Sequence, residues 1–174
     1  MMNDLKNTIF VIGLPGSGKS DLSKLLAEYI NYTFFDMDKV IESREKKTIN
    51  KIFEDRGEKY FREVESDVLE ELSNIKNAVI STGGGAILKE KNRVLMKELG
   101  IVIFIDRPAE LIVNNINVSA RPLLVQDKNK LIELSKKRDA LYRECAKVIF
   151  NHNTWDNDIK ETFKKFYECV GSYI

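Results

Sequence analysis

Short apolar runs alternate along the chain with segments of helical periodicity. Thr8–Ile12 is a β-branched run that ends at a glycine, which predicts a buried strand. Similar runs predict strands over residues 32–36, 78–81, 101–105 and 147–150. Between them, apolar residues at helical spacing predict helices over residues 19–29, 39–45, 48–57, 58–72, 90–99, 108–116 and 128–144, with a last helix from about residue 156.

Near-continuous apolar strands that are separated by helices are typical of a parallel sheet covered on both faces. The sequence therefore predicts the α/β class, with a three-layer α/β/α arrangement around five strands. No repeat, low-complexity segment or linker interrupts the pattern, so residues 1–174 are predicted to form a single domain.

Composition narrows the possible partners. The formal net charge is +1, so no general basic field favours nucleic acid or an acidic membrane surface. No apolar run approaches the ~18 residues of a transmembrane helix, and the first residues resemble neither a signal nor a transit peptide. Cys145 and Cys169 lack metal or redox spacing, and a single histidine cannot build a histidine metal site. We expect a cytoplasmic protein with idle thiols.

A phosphate-binding pattern follows the first predicted strand and opens the first helix. It reads Gly13-Leu14-Pro15-Gly16-Ser17-Gly18-Lys19-Ser20, which fits G-x-x-x-x-G-K-[ST]. Glycines let successive backbone N–H groups turn toward one phosphate, and the helix N-terminus adds partial positive charge. The pattern predicts a bound nucleoside triphosphate, with Lys19 on its β- and γ-phosphates and the Ser20 hydroxyl on Mg²⁺. The alternative, a glycine-rich turn with an accidental Lys-Ser, does not explain this context.

Two aspartates follow the second predicted strand. Asp36 and Asp38 are two positions apart, and on an extended segment such residues project to the same side. Converging carboxylates repel unless they have separate tasks, such as a cation for one and a substrate hydroxyl for the other. A turn without function is the alternative. Asp106 ends another apolar run, where capping of the following helix is a sufficient explanation.

With the phosphate loop, five further segments resemble the shikimate kinase family. They are residues 36–38 (DMD), 57–65 (GEKYFREVE), 81–85 (STGGG), 121–124 (RPLL) and 137–142 (KRDALY). Each segment is weak alone, but the ordered set is specific and covers about residues 8–145. The resemblance implies a P-loop kinase fold of the nucleoside monophosphate kinase type with strand order 2-3-1-4-5. It also implies a substrate-binding helical region over about residues 37–65 and a mobile lid over about residues 114–127.

The resemblance further implies roles for individual residues. Asp36 would join Ser20 around Mg²⁺, through water, and Asp38 would bind the shikimate ring hydroxyls and orient or deprotonate the attacking one. Arg121 would enter with the lid, bind the nucleotide and, beside Lys19, stabilise charge on the transferring phosphoryl group.

The resemblance places the substrate carboxylate between two arginines. Arg62 and Arg138 would hold it, a task suited to the planar guanidinium. Gly83, Gly84 and Gly85 would let backbone N–H groups approach the substrate where a side chain would collide.

Each of these roles has a plainer alternative. Arg62 lies four residues after Glu58 and three before Glu65, so an ion pair on a helix surface is available. Arg138 sits in a basic helical stretch and could be solvated, and the three glycines could form only a turn.

The chain also departs from the family pattern on the adenine side. Asn114 stands where many members carry an adenine-stacking arginine, and residues 151–155 read NHNTW instead of the usual loop. His152 and Trp155 either line the adenine pocket or are a surface histidine and a tryptophan at the edge of the core.

The resemblance implies transfer of the ATP γ-phosphoryl group to the 3-hydroxyl of shikimate, in aromatic amino acid biosynthesis, by a monomer. A small kinase for nucleoside monophosphates or gluconate is one alternative, but it would not be expected to combine the paired aspartates, triple glycine and arginines. A GTP-dependent switch would need Asn-Lys-x-Asp, whereas Asn129-Lys130 is followed by Leu-Ile. A nucleotide-binding module without activity does not account for the complete set of charged groups.

Overall fold

The computed structural model describes residues 8–115, 128–153 and 158–174. Within these ranges, five parallel strands form one sheet in the order β2-β3-β1-β4-β5, which confirms the predicted fold class and strand order. The strands are β1 (Thr8–Ile12), β2 (Thr33–Asp36), β3 (Ala78–Ser81), β4 (Gly100–Asp106) and β5 (Val148–Asn151).

Helices connect the strands and cover both faces of the sheet. They are α1 (Lys19–Ile30), α2 (Met37–Glu45), α3 (Ile49–Ser73), α4 (Glu90–Leu99), α5 (Ala109–Asn115), α6 (Lys128–Cys145) and α7 (Ile159–Val170). α3 spans two predicted helices, but the backbone at Gly57 is not helical (φ 79°, ψ 171°). The predicted break at Gly57 is therefore a kink within one element.

The side chains of β1 divide the core into two layers. Ile9 and Val11 pack on the face that α1 and α7 cover, whereas Phe10 and Ile12 pack on the face that α3 and α6 cover. Every residue of β1 is buried, which explains its unbroken apolar run. β1 lies in the middle of the sheet, so the loop that follows it opens at the centre of the carboxyl edge.

Two expectations drawn from composition can be compared with the described residues. No helix in the described part of the chain is long and apolar enough to cross a membrane. Cys145 is a buried free thiol and Cys169 a half-buried one. Burial raises the pKa of Cys145 to about 11, so this thiol stays protonated and unreactive at neutral pH.

Candidate active site

A cavity of about 340 Å³ lies at the carboxyl edge of the sheet. The loop after β1 bounds it together with the ends of β2, β3 and β4, and its lining residues include Gly16, Lys19, Asp38, Gly84 and Arg107. Ligands of open parallel sheets bind at this edge, where the helix N-termini also point.

The loop between β1 and α1 has the backbone of a phosphate cradle. Gly13, Gly16 and Gly18 have φ values of 150°, 80° and 92°, which other residues rarely adopt. A Cβ at Gly13 would lie 2.7 Å from the carbonyl oxygen of Ile105 in β4. The buried amine of Lys19 donates to the carbonyl of Leu14 (2.7 Å), which keeps the ammonium within the loop.

Ser20 and Asp36 form a pair of oxygen donors that suits Mg²⁺. The Ser20 hydroxyl donates to Asp36 Oδ2 (2.9 Å) and lies 3.3 Å from the Ser81 hydroxyl. Mg²⁺ prefers such oxygen ligands and usually keeps several waters beside one or two carboxylates and substrate phosphates. Among the described residues, no group of three or more histidine, cysteine or acidic side chains could hold a metal. The Ser20 hydroxyl and the Asp36 carboxylate, 2.9 Å apart, fit a cation that is shared with a phosphate.

Asp38 reaches the cavity in a different way from the one its spacing predicts. Asp36 ends β2 and caps α2, where its side chain accepts from the backbone N–H of Lys39 (3.3 Å). Asp38 consequently lies in the first turn of α2, and the expectation of an extended segment is wrong. Both carboxylates nevertheless line the same cavity, because the helix begins directly at the end of the strand.

The triple glycine after β3 is packed too closely for side chains. A Cβ at Gly83 would lie 2.7 Å from Glu65 Oε1 and 3.0 Å from Asp38 Oδ1. A Cβ at Gly84 would lie 2.8 Å from Pro15 Cδ, and one at Gly85 would overlap the Arg62 guanidinium. These glycines therefore bring the backbone against both the phosphate loop and the charged side chains, which a simple turn would not require.

Arg62 is held by two carboxylates of α3. Its guanidinium lies 2.6 Å from Glu65 and 3.3 Å from Glu58, so the ion pair that its spacing predicts is present. Only 14% of the Arg62 side chain and 1% of the Glu65 side chain is exposed, however, so this is not a surface pair. Burial raises the pKa of Glu65, against the opposing effect of Arg62. The ion pair is therefore present but buried, and it is compatible with a role of Arg62 in substrate binding.

Arg138 and Tyr142 reach the triple glycine from α6. Arg138 is 9% exposed, so it is not a solvated residue, and it donates to the carbonyl of Gly84 (3.1 Å). The Tyr142 hydroxyl donates to the same oxygen (2.5 Å), and its ring stacks on Phe104 with centroids 4.9 Å apart. Burial raises the pKa of Tyr142 to about 12.

Around Arg62 and Arg138, sequence reasoning did not single out Glu65 and Tyr142. Both were detectable only as helical neighbours of a predicted arginine, Glu65 three positions after Arg62 and Tyr142 four after Arg138. Neither spacing indicates that the residue is buried.

Of the remaining predicted residues, Asp106 and His152 are described and Arg121 and Trp155 are not. Arg121, Trp155 and the lid beyond residue 115 lie outside the described residues. The Asp106 carboxylate accepts from Arg143 (2.6 Å), which is a structural contact. His152 is not on the surface: it is 8% exposed and its ring lies 5.7 Å from that of Phe150.

Comparison with known proteins decides which kinase family this site belongs to. The family model for shikimate kinase matches residues 15–170. The chain is 44% identical over 161 residues to the shikimate kinase of Clostridium botulinum (strain Eklund 17B / Type B), covering 92% of this chain and 97% of that protein. The chain belongs to the shikimate kinase family.

Solved structures of shikimate kinases agree with this assignment. The enzyme from Acinetobacter baumannii in complex with shikimate has a TM-score of 0.86 and 37% identity, covering 95% of this chain and 93% of that one. The enzyme from Aquifex aeolicus has a TM-score of 0.80 and 34% identity, covering 95% and 96%. Shikimate kinases are phosphotransferases that use ATP with Mg²⁺ to phosphorylate a shikimate hydroxyl, so the predicted enzyme class and cofactors are confirmed at the level of the family.

Proposed function

We propose that this chain transfers the γ-phosphoryl group of ATP to the 3-hydroxyl of shikimate, giving shikimate 3-phosphate and ADP. One observation carries the proposal beyond family membership. The three glycines after β3 pack against Pro15 of the phosphate loop at Gly84. They pack against the charged side chains of Asp38 and Arg62 at Gly83 and Gly85, respectively. A phosphate donor and a carboxylate-bearing acceptor would thus bind side by side.

On the donor side, the backbone of Gly13, Gly16, Ser17 and Gly18 would hold the phosphates of ATP. The Lys19 amine lies 2.7 Å from the Leu14 carbonyl oxygen and so points into the loop. When ATP binds, this amine would donate to the β- and γ-phosphate oxygens in place of that carbonyl. Ser20, and Asp36 through water, would hold Mg²⁺, which supplies neutralisation of phosphate charge when bound.

On the acceptor side, Arg62 and Arg138 would hold the shikimate carboxylate. Their burial supports this role, since guanidinium groups removed from water bind a carboxylate more strongly than exposed ones do. Backbone N–H groups of Gly83, Gly84 and Gly85 would approach the ring closely, because no Cβ intervenes.

The chemical step needs alignment more than covalent catalysis. Asp38 would accept the proton of the 3-hydroxyl while the hydroxyl oxygen bonds to the γ-phosphorus of ATP. The bond between that phosphorus and the oxygen that leaves with ADP would break at the same time. Arg121 would stabilise the negative charge on the phosphoryl group from the lid over residues 114–127. Closure of that lid would exclude water, which competes with shikimate as acceptor.

A coupled assay of ADP release tests the proposal. The purified chain with ATP and Mg²⁺ is given shikimate, gluconate or a nucleoside monophosphate in separate reactions, and ³¹P NMR identifies the phosphorylated oxygen. We expect ADP release with shikimate and not with gluconate or the nucleoside monophosphate, and the new phosphate should be on O3.

The methyl ester of shikimate is the matched control, because it keeps the hydroxyls and removes the carboxylate charge. Equal turnover of acid and ester would overturn the role of the arginines.

We propose in addition that the chain works as a cytoplasmic monomer of one domain on small molecules alone, without a nucleic acid or membrane partner. The formal net charge of +1 supports the absence of a nucleic acid partner. Light scattering of the purified chain over a range of concentrations tests the monomer, and a mass that rises with concentration would contradict it.

A further inference from the structure

Arg107 lines the phosphate cavity although nothing in the sequence pattern marks it. It is the first residue after β4, and only 8% of it is exposed. Among the described residues that line the cavity, Lys19 is the one other positively charged residue. Asp21, Asp36 and Asp38 are negatively charged. A second buried cation beside the phosphate loop requires an explanation.

The alternation of β4 explains how Arg107 reaches this place. Ile103 and Ile105 belong to the layer that α1 covers, and Phe104 belongs to the opposite layer. Asp106 continues the Phe104 side, and there its carboxylate meets Arg143 of α6. Because the next residue is a proline, position 107 favours an extended backbone, so its side chain returns to the α1 side. That side holds the phosphate loop.

The end of β4 is also fixed in position. The carbonyl oxygen of Ile105 lies against Gly13, and the carbonyl of Asp106 accepts from the backbone N–H of His152 (2.8 Å). The backbone just before Arg107 therefore packs against the phosphate loop and is hydrogen-bonded to the residue that follows β5.

Burial makes an anion the natural ligand of this guanidinium. Loss of hydration lowers the pKa of Arg107, although an arginine remains charged at neutral pH. Arg107 lines the same cavity as Gly16, Gly18 and Lys19 of the phosphate loop, and the fork of guanidinium donors matches phosphate oxygens.

We propose that Arg107 binds the phosphates of the nucleotide from the β4 side of the phosphate loop, opposite β3 and the acceptor site. This inference rests on the proposed nucleotide site, but it requires no particular acceptor. Arg107 thereby supplements Lys19 in holding both ATP and the product ADP.

Binding of ADP, measured by isothermal titration calorimetry without shikimate, tests the proposal. The variants are Arg107→Gln and Arg107→Met, of which the second keeps the apolar part of the side chain. The matched control is Arg143→Gln, because Arg143 lies at the same end of β4 but pairs with Asp106. Thermal unfolding of each variant verifies folding, and a titration with shikimate alone reports the acceptor site separately.

We expect the dissociation constant for ADP to rise about 10-fold or more in the folded Arg107 variants, with a weaker dependence on salt. The control should bind ADP like the wild type, and shikimate binding should be unchanged in all three variants. An ADP affinity within twofold of wild type in the Arg107 variants overturns the proposal, as does an equal loss in the Arg143 control. If the enzyme failed to phosphorylate shikimate, these ADP affinities would still decide the role of Arg107.

Discussion

Arg138 and Tyr142, one turn apart on α6, donate hydrogen bonds to the same oxygen, the carbonyl of Gly84. A carbonyl oxygen has two lone pairs and can accept both. Since the peptide plane is rigid, fixing this carbonyl also fixes the direction of the Gly85 N–H on the other side of the bond. The helix that carries Arg138, which we propose as a ligand of the substrate carboxylate, therefore also orients the glycine backbone that we propose to face the substrate.

Removal of the Tyr142 hydroxyl should loosen this turn. In Tyr142→Phe we expect the KM for shikimate to rise severalfold, the KM for ATP to change little, and the free energy of unfolding to fall by about 1 kcal/mol. Steady-state kinetics and urea unfolding measure these quantities. Tyr167→Phe on α7 is the control and should behave like the wild type. Equal changes in both KM values would argue against a specific effect on the acceptor site.

Stability at alkaline pH should depend on the same hydroxyl. Burial raises the pKa of Tyr142 to about 12 from the ordinary 10.0, so the unfolded chain releases this proton first. The free energy of unfolding is then fully retained below pH 10 and falls by up to about 2–3 kcal/mol as the pH rises to 12. Tyr142→Phe lacks this contribution, so the wild type's advantage of about 1 kcal/mol should shrink above pH 10 and change sign as the pH approaches 12. A constant difference in urea unfolding across this range would contradict the assignment.

Two carboxylates contact Arg62, and they should not be equivalent. Glu65→Gln removes the charge of the buried partner, so we expect a loss of about 1–3 kcal/mol of stability and a KM for shikimate raised about 10-fold. Glu58→Gln is the matched control, because the Glu58 side chain is 64% exposed and its pair with Arg62 is longer. That variant should stay within about 0.5 kcal/mol of wild type. Similar effects of both substitutions would contradict the importance of burial.

A methyl group at Gly83 should damage the acceptor site alone. In Gly83→Ala the new Cβ would lie 2.7 Å from Glu65 Oε1 and 3.0 Å from Asp38 Oδ1, so both carboxylates should be displaced. We expect kcat/KM for shikimate to fall about 100-fold, by analogy with other small displacements of catalytic groups. ADP binding by calorimetry serves as the internal control and should be retained. Parallel loss of ADP affinity and turnover would indicate a general distortion of the cavity.

Asp36 and Asp38 should separate into a metal role and a substrate role. Asp36→Asn keeps an oxygen that caps α2 but weakens the cation site, so the Mg²⁺ concentration for half-maximal rate should rise. Asp38→Asn should lower kcat about 10²–10⁴-fold at saturating Mg²⁺ without such a rise. Titration of Mg²⁺ in the coupled assay distinguishes the two. If the variants exchanged these phenotypes, the roles assigned to the two aspartates would be reversed.

The architecture was predictable because its signals are local. Unbroken apolar runs indicated strands buried on both faces, and the phosphate loop is defined by eight consecutive residues. The kink at Gly57 likewise follows from one residue that tolerates φ 79°. Asp38 shows the limit of local reasoning: its place in the cavity was correct, but its conformation was not, because capping by Asp36 begins the helix earlier than the apolar pattern indicates.

Contacts between distant segments could not be predicted in the same way. Tyr142 meets Gly84 across 58 residues, and Arg143 meets Asp106 across 37. Arg107 resembles an ordinary charged residue beside a proline until the strand order places the end of β4 against Gly13. Burial determines the chemistry of such residues, and burial follows from the assembled sheet.

The contact of Pro15 with Gly84 limits how this enzyme could be redesigned. Only 2.8 Å separates Pro15 Cδ from the position that a side chain at Gly84 would begin to occupy. Enlarging the acceptor turn to admit a new alcohol would therefore push on the cradle of the triphosphate. Selection for altered acceptor preference in a mutant library should accordingly recover paired changes at positions 15 and 84 rather than changes at position 84 alone.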